Sequence, residues 1–186
     1  MITADELRDA SEKLRVYDVE QRAWEQEPNG FVANASHVLT HLTKDLLGKN
    51  FDDKDLVRTA IAPDSLQYGL RLARWSGIHV ADLVSMTMVE EEIRSQVEES
   101  LNYSKLPWGF ASFAGGVRVL SMHLHDLGHI KEKDRALLAR QDAMRSASRL
   151  LIDSASIQAH QSGFPLSKAF DNRLASLRER FGIPQP

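Results

Sequence analysis

Cysteine is absent from the 186 residues of this chain. Its absence excludes disulfide bonds, catalytic thiols and cysteine-liganded zinc sites. Long apolar runs are also absent, whereas a membrane-spanning helix needs roughly 20 consecutive apolar residues. The first residues are polar and charged, without the apolar stretch of a secretory signal. We therefore expect a cytoplasmic protein with no membrane segment.

Neither sign of charge dominates the sequence. It has 23 Lys and Arg residues against 26 Asp and Glu residues, for a net charge of −3. Such a balance gives no basic field to attract nucleic acid or anionic lipid, so nucleic acid is not an expected partner. The hydrophobic fraction of 42% is ordinary for a globular chain. At this length we expect one domain with its own core.

Apolar residues recur at three- and four-residue steps along the chain, a spacing that predicts helices and no strands. Thr3 and Glu6 have the spacing of a capping box at the start of a helix. Pro63 fits the first turn of another helix, which follows a charged loop. The predicted helices of the first half span about 3–24, 31–47, 64–75 and 82–102.

The second half of the chain repeats the order of break signals in the first half. The matched pieces are Pro28-Asn29-Gly30-Phe31 with Pro107-Trp108-Gly109-Phe110, Asp45-Leu46 with Asp126-Leu127, and Ser76-Gly77-Ile78 with Ser162-Gly163-Phe164. The offset grows along the chain, as loop insertions in a duplicated unit would produce. We interpret the chain as two diverged helical units in tandem, about 28–102 and 107–181. Chance likeness between amphipathic helices is the alternative.

Two pairs of histidines stand four residues apart, His37 with His41 and His125 with His129. On a helix, side chains at this spacing lie on one face and both can reach one metal ion. Neither pair has the glutamate directly after its first histidine that the zinc-protease pattern requires. Hydrogen-bonded or exposed histidines are therefore the preferred interpretation.

The pentapeptide 125–129, His-Asp-Leu-Gly-His, resembles the His-Asp pair of the HD-domain phosphohydrolases, an all-α family. The resemblance implies metal ions that activate water. It also requires an earlier histidine, for which His123 is too close in sequence and His79 is far. Asp153 would be the late aspartate of that family. The tandem repeat offers a different origin for the Asp-Leu pair within this motif.

Segments 37–49 and 61–82 together resemble the two core helices of the MazG-like all-α nucleoside triphosphate pyrophosphohydrolases. The likeness covers about 31–90 and, faintly, 109–180 as a second copy. In that family two acidic helices pack together and their carboxylates hold magnesium, which bridges the triphosphate. The resemblance therefore implies an all-α helical bundle of the MazG-like type, a Mg²⁺ cofactor, a nucleotide ligand and a homodimer.

The resemblance also implies a set of site residues, although it assigns no catalytic residue. Asp64 matches the last aspartate of the family's second motif, and Asp45 falls near the acids of the first. Asp126 would be the corresponding acid of the second copy. These three aspartates are the candidate magnesium ligands, and His41 and Lys44 are the candidate phosphate contacts.

One departure from the family pattern keeps other functions open. Ile61 stands where the second motif has a glutamate, so fewer carboxylates remain to hold a metal. The leading hypothesis is a nucleotide-binding protein or a magnesium-dependent pyrophosphohydrolase with a degenerate metal site. A non-enzymatic helical protein that binds a partner protein is the first alternative. An HD-domain-like metal phosphohydrolase is the second.

Overall fold

The fold is seen in a computed structural model, which describes residues 2–21, 30–84, 108–127 and 133–184. Within these ranges regular structure is helical throughout and no strand occurs, which confirms the all-α prediction. The helices are α1 (Ala4–Gln21), α2 (Gly30–Gly48), α3 (Lys54–Leu56), a π turn (Val57–Ile61), α4 (Ala62–Trp75), α5 (Val80–Val84), α6 (Trp108–Leu127), α7 (Lys133–Ser162) and α8 (Leu166–Phe181). In the same ranges no helix is both long and apolar enough to cross a membrane.

The predicted capping box is present at the start of α1. The Thr3 hydroxyl accepts a hydrogen bond from the Glu6 N–H at 3.2 Å, and the Glu6 carboxylate accepts one from the Thr3 N–H at 2.9 Å. Both contacts satisfy donors that the first turn of a helix leaves unpaired. The predicted end of this helix, and most of the predicted helix over 82–102, lie outside the described residues.

The chain before α4 is a loop up to Asp53, as predicted for the charged stretch 50–54, but it is helical from Lys54 to Ile61, where the sequence predicted no element. Asp53 caps α3 by accepting hydrogen bonds from the N–H groups of Asp55 and Leu56. A π turn then joins α3 to α4, and the Ala62 N–H donates to the Val57 carbonyl. Pro63, just after this turn, has no N–H, and its ring would crowd the preceding turn of a regular α-helix. The wider π turn accommodates that proline, and sequence periodicity does not reveal it.

Helix α7 is the central packing partner of the described helices. Helices α6 and α4 make their most extensive contacts with it. Glycine permits the close approach on both sides: a Cβ added at Gly69 of α4 would lie 2.9 Å from the Ser148 carbonyl, and one at Gly116 of α6 would lie 2.9 Å from Leu151. We call the contacts of Gly69 and Gly116 with α7 the small-residue seam.

Some contacts are those that a tandem duplication would produce. The proposed counterparts α2 and α6 pack together, as do α4 and α7. The matched Ser-Gly breaks also share one helix cap, with positive φ at Gly77 (68°) and Gly163 (72°). The same cap occurs at Gly182 (φ 67°), outside the matched pieces. A cap of this kind is common at helix ends, so the duplication stays a prediction.

Candidate functional site

Two of the predicted carboxylates meet in the structure. Asp45 of α2 and Asp64 of α4 are both buried, with 8% and 5% of their surface exposed. The Lys49 Nζ lies between them, 2.9 Å from Asp45 Oδ1 and 3.2 Å from Asp64 Oδ2. The end of α2 and the first turn of α4 therefore bring together the acids that the family resemblance singled out.

Arg173 of α8 completes this group of charges. Its Nε donates to Asp64 Oδ1 at 2.8 Å and its Nη2 donates to Asp64 Oδ2 at 2.9 Å. Such a two-point contact is among the strongest forms of ion pair. We call Asp45, Lys49, Asp64 and Arg173 the ion cluster. Its two negative and two positive charges cancel.

The environment of the ion cluster shifts the acid–base properties of its members. Burial raises the pKa of the Asp45 carboxyl, and the hydrogen bond from Lys49 offsets part of that effect. Burial works against the charged form of Arg173, but the adjacent Asp64 carboxylate raises the pKa of that guanidinium. Arg173 therefore carries a positive charge at every physiological pH.

The candidate phosphate contacts lie beside the ion cluster on α2. The half-buried His41 ring stacks on Tyr68, with ring centroids 5.8 Å apart, and its Nε2 lies 3.0 Å from His37 Nε2. Burial and the neighbouring His37 lower the pKa of His41, which favours the neutral ring. Burial also raises the pKa of Tyr68, so its hydroxyl stays protonated. Lys44 is exposed at the same end of α2.

The third predicted carboxylate is not joined to this group by any described contact. Asp126 belongs to α6, and its side chain lies outside the described residues. His125 of the HD-like motif is exposed on the same helix, and His129 also lies outside. Asp153 of α7 pairs with Arg149 at 3.2 Å. Among the described side chains, no group of three or more acids or histidines is placed to share a metal ion.

Sequence reasoning missed Arg173 as a site residue. It stands 109 positions after Asp64, on helix α8. A contact between positions so far apart leaves no periodic or motif signal. Lys49 was missed as well, although its ammonium group joins the two acids.

A second buried ion pair joins α1 to α4, and its Arg71 lies over the Tyr68 ring, 5.9 Å from the ring centroid. Asp18 of α1 is fully buried and accepts hydrogen bonds from Arg71, whose Nη2 lies 2.6 Å from Asp18 Oδ1. Arg74 contacts the other carboxylate oxygen of Asp18. Both arginines belong to α4, so this group fixes α1 on α4 by charge as well as by apolar packing. Its location indicates a structural role.

No model of a protein family, no curated protein and no solved structure matches this chain. The likeness to the MazG-like enzymes therefore stays a prediction from sequence motifs. The function has to be argued from the ion cluster itself.

Proposed function

We propose that this chain is a MazG-like nucleotide-binding protein whose acidic site is closed by its own cations, so that it binds a nucleotide without hydrolysing it. One observation carries the proposal: the Lys49 ammonium lies between the two carboxylates that would hold magnesium. In the enzymes that the sequence resembles, a magnesium ion is expected between the corresponding carboxylates.

The coordination chemistry of magnesium supports this proposal. Mg²⁺ needs six oxygen ligands in a near-octahedral arrangement and gives up its water reluctantly. Both oxygens of Asp64 already accept hydrogen bonds from Arg173, and one of them also contacts Lys49. A metal ion would have to displace an ammonium or a guanidinium group from a buried and electrically neutral cluster. Ile61, in place of a family glutamate, removes a further ligand.

The proposed phosphate contacts are Lys44 and His41, adjacent to the ion cluster on α2. Lys44 is exposed and provides a positive charge for a phosphate group. His41 can donate or accept a hydrogen bond through a ring nitrogen, depending on its tautomer. The ligand would therefore lie along the outer face of α2, and the ion cluster behind it would support the helix without taking part in chemistry.

Magnesium-dependent hydrolysis of a nucleoside triphosphate with release of pyrophosphate is the second candidate, and the approach of Asp45 and Asp64 to the same atom, Lys49 Nζ, favours it. If Lys49 moved away, two carboxylates would face the same position. In that case Asp45, Asp64 and the second-unit acid Asp126 would be the metal ligands. The Asp64→Asn substitution would then abolish turnover.

Calorimetry with a non-hydrolysable nucleoside triphosphate, with and without Mg²⁺, tests the proposal alongside a pyrophosphate-release assay. We expect the nucleotide to bind saturably without Mg²⁺, and we expect no release of pyrophosphate. The Lys44→Ala substitution should lower the affinity for the nucleotide about tenfold. The matched control is Lys54→Ala, an exposed lysine on α3 that should leave binding unchanged. Magnesium-dependent release that Asp64→Asn abolishes would establish the enzyme instead.

Absence of both binding and turnover would leave the non-enzymatic partner-binding protein. The resemblance also leads us to propose a homodimer. Light scattering on the purified chain would test that assembly separately from the ligand.

A further inference from the structure

A groove runs between the π turn and the first turns of α8, separate from the outer face of α2. Its volume is about 720 Å³. Six residues with polar or cationic side chains line it: Arg58, Thr59, Lys168, Asn172, Arg173 and Ser176. Among the side chains that the structure describes, no acidic one lines it. The lining therefore combines three positive charges with neutral hydrogen-bonding groups.

The three cations are held in different ways, and each keeps donors for a ligand. Lys168 makes no ion pair with any residue in the described ranges. Arg58 pairs with Asp55 at 2.9 Å, but both side chains are largely exposed, so that contact is weak. Arg173 gives its Nε and Nη2 to Asp64. Its Nη1 has no acceptor among the described residues.

The backbone at the mouth of the groove adds to its positive potential. Helix α8 begins at Leu166, and its N-cap residue, Pro165, makes no side-chain hydrogen bond to the first turn. Pro165 and Lys168 both line the groove. The N-terminal end of a sixteen-residue helix carries a partial positive charge. This charge and the side-chain cations act on the same space.

The remaining lining is apolar and indicates the size of the ligand. Ala60, Phe164, Pro165 and Ala169 form this part of the wall. A groove of this volume falls in the range that holds a small organic molecule, and one phosphate group would not fill it. The neutral polar residues Thr59, Asn172 and Ser176 can hydrogen-bond to hydroxyl groups.

We propose that this groove binds a phosphate-bearing small molecule, with the phosphate between Arg58, Lys168 and Arg173 and the organic part against Phe164 and Pro165. The site does not depend on the nucleotide proposal, since it shares neither His41 nor Lys44. Arg173 connects it to the ion cluster, because one guanidinium faces both the groove and Asp64.

The experiment measures binding of inorganic phosphate and of ribose 5-phosphate to the full chain by calorimetry at low ionic strength, where charge contacts are least screened. We expect saturable binding of both probes, and tighter binding of the sugar phosphate. Lys168→Gln and Arg58→Gln should each lower the affinity about tenfold. The control Lys54→Gln removes an exposed cation that does not line the groove, and it should leave the affinity unchanged.

Each outcome decides a part of this proposal. Equal affinity for the two probes would overturn the contact of the organic part with Phe164 and Pro165. No saturable binding of either probe, or an equal loss in Lys54→Gln, would overturn the proposal. The Lys44→Ala variant should keep sugar phosphate binding, so failure of the nucleotide proposal remains separate from failure of this one. Thermal unfolding of each variant would confirm that the fold is retained.

Discussion

Helix α4 has two kinds of contact surface. One part of it forms ion pairs with α1 and α8, and another part, at Gly69 in the small-residue seam, packs closely against α7. These two regions are stabilised in different ways. The charged region joins α4 to α1 through Asp18 and to α8 through Asp64. In the seam, Gly69 allows the backbone of α7 to approach closely. The first region depends on a few directional contacts, and the second depends on many weak ones.

The comparison shows how differently the two regions should respond to mutation. A buried ion pair adds little net stability compared with well-packed apolar groups, but removing one partner leaves an uncompensated charge. A close-packed seam gains dispersion energy at every contact and cannot accept added volume. The charged region therefore determines which helices meet α4, and the seam determines how closely α7 approaches it.

The largest effect is expected for Asp18→Ala in the charged region. The change removes the Asp18 carboxylate from Arg71, of which only 1% is exposed. We expect the free energy of unfolding to fall by about 3–5 kcal/mol, measured by urea denaturation. The control Asp9→Ala removes an exposed partner of Lys13 and should cost less than about 1 kcal/mol. Similar losses in the two variants would mean that the Asp18 group is not the buried attachment of α1.

A smaller but still large effect is expected for Gly69→Val in the seam. Its Cβ would lie 2.9 Å from both the Ser148 carbonyl and Ile152 Cγ1. Overpacking of this kind should lower the free energy of unfolding by about 3 kcal/mol. The matched control is Gly48→Val, because a Cβ there meets nothing within 4 Å. That control should change the stability by less than about 1 kcal/mol, and an equal loss there would rule out close packing as the cause.

The smallest effect is expected for Asp45→Asn in the ion cluster, where Lys49 keeps Asp64 as its partner. Burial raises the folded-state pKa of Asp45 above its ordinary value near 3.8. The stability linked to its proton is therefore present below that value and is lost as the pH rises through the raised pKa. Asparagine does not titrate, so the variant should gain relative to the wild type as the pH rises from about 4 to 7.

Urea denaturation across this pH range measures the gain, which should be smaller than the losses expected for Asp18→Ala and Gly69→Val. A variant that instead becomes less stable as the pH rises would show that the Lys49 contact outweighs the burial of Asp45. Loss of the Asp45 charge would then destabilise the fold, as loss of the Asp18 charge does, and the two ion groups on α4 would behave alike.

Local features of the fold could be predicted well from the sequence. The Thr3–Glu6 capping box and the end of α4 before Ser76 both depend on residues within a few positions of one another. The approach of Asp45 to Asp64 was also anticipated, through the family resemblance. Helix α3 and the π turn were missed, because a widened turn before Pro63 has no distinctive periodicity.

The sequence by itself determined that this protein is helical, where α1 begins and α4 ends, and that cysteine chemistry is excluded. The tertiary structure decided which charges meet: Asp18 with Arg71, 53 positions apart, and Asp64 with Arg173, 109 positions apart. The interactions that form a helix occur within about one turn, so residues close together in the sequence predict it. Ion pairs between distant helices depend on how those helices pack, and no local pattern records that.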